Sequence, residues 1–178
     1  GLAGIAIREE YRSDLVVNNG IARGDANLYL RNVLLRIEQH EDRRQRFRGL
    51  LQQVFPGHVV QARFDIANDL WITTSVTLPD GAERPLDMIG TGFLQAVQLL
   101  AYVTNYSPRL LLLDEPDAHL HPNNQRLLAK ALHAIAQETD TQIILATHSR
   151  HLLDALSEYS DTALFWVKNG QPSPQQNW

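Results

Sequence analysis

The sequence predicts an α/β fold with a parallel-sheet core and a small β-hairpin element beside it. Three observations predict this. Two short unbroken apolar runs, residues 110–113 and 143–145, suit strands buried on both faces, as in a parallel sheet. Between them Leu127, Leu128, Ala131, Leu132 and Ile135 recur at helical spacing. Upstream, residues 59–66 and 70–78 are rich in β-branched and aromatic residues around the turn Ala67-Asn68-Asp69, which reads as a hairpin.

Residues 1–20 show no clear period. Gly24-Asp25 opens a helical pattern whose stripe is Leu28, Val33, Leu34, Leu35 and Ile37. A second helix is expected over about residues 44–54, ended by Pro56-Gly57. Pro79-Asp80-Gly81 is a turn. Gly90-Thr91-Gly92 precedes a helix through Gln95, Leu99, Leu100 and Val103. The first apolar strand comes next, then a helix opened by Pro122. After the second strand come a short helix over about residues 150–156 and a last strand at 163–167. That alternation is the pattern of an α/β parallel sheet. Residues 1–85 are expected to form linker helices and the hairpin, 86–170 the core, and 171–178 a polar tail.

The 178 residues are 44% hydrophobic and 20% charged, the composition of one globular domain of ordinary size. No apolar run approaches the roughly 20 residues that cross a bilayer, and no signal peptide opens the chain. The absence of cysteine excludes disulfides and thiolate chemistry. A soluble cytoplasmic protein with no membrane contact is the expectation. A first residue of Gly rather than Met suggests a fragment or a processed chain. The net charge of −4 does not point to nucleic acid. Arg43, Arg44, Arg46 and Arg48 crowd into one stretch, which reads either as a solvated helix face or as a phosphate-contacting patch.

The chemistry lies in Leu110-Leu-Leu-Leu-Asp114-Glu115-Pro116-Asp117-Ala118-His119-Leu120-His121-Pro122. Four leucines set two carboxylates at the C-terminal end of a strand, where ligands of open parallel sheets bind. Burying two adjacent carboxylates would cost several kcal/mol unless a cation or hydrogen bonds offset it. Mg²⁺, which takes one or two carboxylates and keeps its waters, suits that role. Asp114 would then serve the metal shell and Glu115 the attacking water.

Asp114-Glu115 after four leucines resembles the Walker B motif of ABC-type ATPases. Asp117 to Pro122 is similar to the D-loop of a subgroup that includes the overcoming-lysogenisation-defect nucleases, phage-defence ATPases and recombination-repair heads. Ala-Thr147-His148-Ser149, about 30 residues after Glu115, resembles the switch-histidine segment. Met88-Ile-Gly90-Thr91-Gly92-Phe-Leu-Gln95 resembles the subgroup's version of the ABC signature, with Thr91 in place of the usual serine. Leu2-Ala-Gly4-Ile5 and Leu30-Arg31-Asn32 resemble the subgroup's linker. The resemblance implies the C-terminal part of an ABC-type ATPase head of P-loop NTPase fold. It implies ATP and Mg²⁺ as cofactors and a homodimer sandwiching two nucleotides. Glu115 and His148 would be catalytic. Gly90, Thr91, Gly92, Gln95 and Asp117 would bind nucleotide, and Asp114 would bind Mg²⁺. DNA or an effector nuclease could join it as partner.

Two other site readings fare worse. His119-x-His121, with His133 and His151, invites a zinc site but lacks convincing third and fourth ligands. Ser149 has no Gly-x-Ser-x-Gly elbow. A phosphate loop needs Gly-x-x-x-x-Gly-Lys-Ser/Thr, and neither Lys130 nor Lys168 follows a glycine. The chain alone is therefore expected to be nearly inactive. An ATPase fragment, a degenerate interaction module and a DNA-binding domain remain the competing functions.

Overall fold

A computed structural model describes residues 8–174. The linker-like Leu2-Ala-Gly4-Ile5 lies outside the described residues, as do residues 175–178. The chain divides into two compact units, Gly1–Arg109 and Leu110–Trp178.

In the first unit, α1 (Asp14–Ala22) leads through a 3-10 turn to α2 (Leu30–Glu38) and α3 (Glu41–Val54). The sequence hid α1 because Leu15 and Val16 face outward and only Val17 and Gly20 are buried. Leu28 belongs to the 3-10 turn and is exposed, so the stripe begins at Leu30 and not at Gly24. In α3, Phe47, Leu50, Leu51 and Val54 are buried at the spacing of one helix face. Its first turn carries Glu41 and Asp42, which suit the positive end of the helix dipole.

A three-stranded antiparallel sheet comes next, in the order β1 (Val59–Arg63), β2 (Thr73–Thr77), β3 (Glu83–Pro85). Val60 and Val76 are cross-strand partners, both buried. The first two strands are shorter than expected: Ile66 and Leu70 lie in an exposed connection. The turn at Pro79-Asp80-Gly81 leads into β3, which the sequence did not reveal. Last comes α4 (Thr91–Tyr106), which packs on α2 and α3. Of the four clustered arginines of α3, two reach the end of α4 and two face α2. Arg43 donates to Asn105 Oδ1 at 3.0 Å and Arg46 to Ser107 Oγ at 3.1 Å, at the C-terminal end of α4. Arg44 and Arg48 face Glu38 at 4.0 and 3.6 Å.

A buried polar knot ties this unit together. Glu9 accepts from the backbone N–H groups of Arg31 (2.8 Å) and Asn32 (2.9 Å) and from the Asn32 side chain. The Arg31 guanidinium donates to Thr74 and to Asp87. Burial pushes the Glu9 carboxyl above its usual range, against the opposing pull of the Asn32 and Arg31 hydrogen bonds.

In the second unit, β4 (Leu110–Asp114) and β5 (Gln142–Ala146) are parallel and joined by α5 (Pro122–Thr139). Pro122 opens α5 as expected, with His121 as its N-cap. The short α6 (Arg150–Ser157) packs on α5, burying Leu128, Leu132, Ile135, Leu152 and Leu156.

Two expectations fail here. The leucine strand is not buried on both faces. Leu110, Leu112 and Ile144 are exposed while Leu111, Leu113, Ile143 and Leu145 are half-buried, the alternation of a sheet covered on one face. The last strand, β6 (Phe165–Lys168), does not extend the parallel pair. It forms an antiparallel hairpin with β7 (Gln171–Pro174), which occupies part of the expected polar tail. The joining residues Asn169 and Gly170 both have positive φ, as a two-residue hairpin turn requires. Among the described residues, no helix is long and apolar enough to cross a membrane.

Candidate functional site

Parallel register sets the site. Asp114 pairs with Ala146, so the ends of β4 and β5 stop side by side. The chain leaves β4 through Glu115, whose φ of 47° is left-handed. Its N–H donates to the Ala146 carbonyl at 2.8 Å. A non-glycine residue in that region carries local strain, which functional turns often hold. The turn aims the Glu115 carboxylate at the loop after β5, where Glu115 Oε1 lies 3.5 Å from His148 Nε2. Both side chains reach water, Glu115 at 52% and His148 at 94% exposure. They line a cleft of about 400 Å³ with His119, Gln125 and Arg150.

Asp114, at the last position of β4, is exposed as well. The expectation of two buried carboxylates is therefore wrong, because the strand end opens to solvent. No desolvation cost calls for a cation. The donor chemistry still fits Mg²⁺: hard carboxylate oxygens at a wet strand end, with room for retained waters.

Asp117 sits differently from the other acids. It is 5% exposed and accepts from the Thr147 hydroxyl at 2.7 Å through Oδ1. Its side chain holds the 115–120 turn to the loop after β5. That turn closes with Ala118 N–H to the Glu115 carbonyl and Leu120 N–H to the Asp117 carbonyl, both 3.1 Å, and with His119 at a φ of 65°.

Sequence reasoning missed the polar web behind the cleft. Thr147 Oγ1 accepts from the Ser149 N–H at 2.9 Å. Ser149 Oγ caps α6 by accepting from Leu152 N–H, and donates to Gln125 Oε1 at 2.7 Å. The signal for Ser149 was present, since a serine just before an apolar periodic run is an N-cap pattern. Nothing in the sequence signalled Gln125.

The remaining histidines are engaged separately. His121 caps α5 through the Asn123 N–H, His133 pairs with Asp161 at 3.0 Å, and His151 Nδ1 lies 3.0 Å from Arg126. Among the described residues, no three His, Asp or Glu side chains gather as a metal would need.

The other predicted residues form a second group in the first unit. Gly90 is the N-cap of α4, Thr91 its first residue, Gly92 is buried, and Gln95 lies about one turn further on. Gly90 brings no side-chain cap, so the first-turn amides of a 16-residue helix carry their positive end without one.

Comparison with known proteins bears on the fold and the family. An uncharacterized protein of Methanocaldococcus jannaschii is 24% identical over 132 residues, 74% of this chain and 15% of its own length. The lipoprotein-releasing system ATP-binding protein LolD of Nitrobacter hamburgensis is 36% identical over 73 residues, 41% of this chain and 31% of its own. The chain thus spans less than a third of either curated relative. A chain solved in a study of ATP-driven dimerization and DNA-stimulated activation of SMC ATPases superposes with a TM-score of 0.60 at 13% identity. The match covers 78% of this chain and 85% of that one. At such identity the likeness is one of fold, the P-loop NTPase fold of SMC and ABC ATPase heads. With that fold, and with a family model matched over residues 8–154, the chain belongs to the ATPase family described as "AAA domain, putative AbiEii toxin, Type IV TA system".

Proposed function

We propose that this chain is the C-terminal part of an ABC-type ATPase head, supplying Walker B, D-loop and switch histidine. The observation that carries this is the meeting of Glu115 and His148, 3.5 Å apart, at adjacent ends of two parallel strands. Glu115 orients the attacking water and takes its proton on a carboxylate oxygen. His148 offers a ring N–H to the γ-phosphoryl oxygens as charge develops there. Asp114 holds the Mg²⁺ shell, directly or through water, and the ion when bound would neutralise phosphate charge. Asp117 positions the D-loop. No phosphate loop occurs in the 178 residues, so that cradle comes from polypeptide outside this chain. The chain alone binds ATP weakly and barely turns it over.

In this reading Gly90, Thr91, Gly92 and Gln95 serve the nucleotide of a second head, with the uncapped start of α4 facing its phosphates. Two heads close around ATP. In this reading the arginine stretch serves packing within the unit, where Arg43, Arg44, Arg46 and Arg48 all have partners.

The test is Glu115→Gln in the full-length protein. Hydrolysis should fall by about 10²-fold or more, the scale of losing a general base. ATP binding should survive and the ATP-bound dimer should accumulate. Hydrolysis at the parental rate would reduce the Asp114-Glu115 pair to a strand end in an interaction module.

A further inference from the structure

Gln125 lies one turn inside α5, and its amide spans two loops. The Nε2 group donates to the Leu120 carbonyl at 3.1 Å and to the Asp117 carbonyl at 3.3 Å. The Oε1 atom accepts from the Ser149 hydroxyl at 2.7 Å. Chemistry fixes this orientation of the amide. Two carbonyls on one side need a donor. On the other side, Ser149 Oγ already accepts from Leu152 N–H, which directs its own proton toward Gln125. A flipped amide would set Oε1 against both carbonyls.

The consequence falls on His148. Its side chain is almost wholly exposed, so little packing holds the imidazole near Glu115. The restraint on it is backbone on either side. Thr147 is tied to the Asp117 side chain. Ser149 is tied through Gln125 to the Asp117 and Leu120 carbonyls. Both tethers of the histidine therefore end on the same 117–120 turn.

We infer that Gln125 is a positioning residue that couples the 117–120 turn to His148. The inference rests on the catalytic reading of His148 and Glu115, and it names what holds them in alignment. A bridge of this kind fails as a unit when either end is cut. Gln125→Glu keeps an acceptor for Ser149 but removes the donor to both carbonyls. Ser149→Ala keeps the Gln125 bonds to the turn but removes the other end together with the α6 cap, a loss that the His148→Ala background separates from the bridge.

The experiment has two arms. In the full-length protein, kcat and KM for Mg-ATP are measured for Gln125→Glu, Ser149→Ala, the double variant, and each in a His148→Ala background. The expected result is a fall in kcat of about tenfold or more for each single variant, the scale of a small misplacement, with KM within about twofold. The double variant should fall no further, and the loss should vanish once His148 is absent. In the chain itself, the second arm follows the His148 imidazole proton by NMR in response to Glu115→Gln. That response should be clear with Gln125 present and lost in Gln125→Glu. Multiplicative losses that persist without His148, or an unchanged NMR response, would overturn the bridge. If Glu115→Gln and His148→Ala leave turnover at the parental rate while the NMR response depends on Gln125, the catalytic reading fails and the coupling stands.

Discussion

Leu34 of α2 and Leu112 of β4 are the same residue in opposite circumstances: the first is 2% exposed and the second 67%. The contrast holds across their units. In the first, helix stripes and the inner positions of a small antiparallel sheet go inside, and even Arg31, Asn32 and Glu9 are buried with partners. In the second, α5 and α6 bury each other's leucines, while the two strands that carry the acidic pair and the histidine loop leave one apolar face open. Hydrophobic pattern thus decides burial where helices meet. On a two-stranded sheet it only marks a face that cover would suit. The unit with the closed core builds a scaffold. The unit with the open sheet end presents Glu115, His148 and Asp114 to water.

The largest expected effect breaks or keeps this contrast directly. Leu34→Ala should cost about 2–5 kcal/mol of unfolding free energy, the range for a core leucine. Leu112→Ala should stay within about 0.5 kcal/mol, as surface changes do. Urea midpoints of the two variants measure both. A Leu112→Ala cost equal to that of Leu34→Ala would mean that the open face is covered in solution.

Gly20 offers the next test, inside the scaffold. A Cβ built on Gly20 would land in the Tyr29 ring. Gly20→Ala should therefore destabilise by about 1–3 kcal/mol through overpacking, despite alanine's better helix propensity. Tyr29→Ala in the same chain should remove most of that penalty. A Gly20→Ala melting temperature at or above the parental value would show that the ring moves aside freely.

Glu9 gives a pH test of the buried knot. Its carboxyl is pushed above the usual 4.5 chiefly by burial. The folded state therefore holds its proton more tightly than the unfolded state does. The sign is then fixed: this contribution to stability is fully present below about pH 4.5 and is lost as pH rises through the folded value. Subtracting the Glu9→Gln stability profile from the parental one should leave a decline over that window. A rising difference would mean that the hydrogen bonds from Arg31 and Asn32 outweigh desolvation.

The sequence made the second unit's skeleton legible for a physical reason. Strand, helix and strand each have one strong signal there, in the apolar runs and in the 127–135 stripe, and Pro122 marks the helix start. The placement of the candidate residues Asp114, Glu115 and His148 was legible, because polar residues directly after an apolar strand stand at the open end of the sheet. Asp117 was legible as part of the motif but not in its place, since its 5% exposure arises from a hydrogen bond to Thr147, distant in sequence. Gln125 was invisible for the same reason. Its three partners lie in two loops, and a helix period says nothing about loops. In the first unit, α1 escaped notice because Leu15 and Val16 face outward, and β3 because a three-residue strand has no period to detect.

The smallest expected effect compares one buried threonine from each unit. Thr104 of α4 and Thr141, just before β5, are both 3% exposed. The Thr104 hydroxyl has no hydrogen-bond partner among the described residues. The Thr141 hydroxyl lies 2.6 Å from that of Thr139, which also donates to the Ile135 carbonyl at 2.7 Å. With the Thr139 proton committed to Ile135, Thr141 is the donor of the pair. Valine keeps the branched shape and replaces the hydroxyl with a methyl group. At Thr104 that change removes a desolvated polar group that gains nothing from the fold, so Thr104→Val should stabilise by about 1 kcal/mol. At Thr141 it removes a donor and leaves one fewer bond on Thr139, so Thr141→Val should destabilise by about 1 kcal/mol. Helix propensity barely enters, because valine and threonine lie close together on that scale. Opposite signs in paired urea titrations would show that polar satisfaction, and not burial alone, separates the two sites. The same sign at both would show that the Thr104 hydroxyl is bonded in solution.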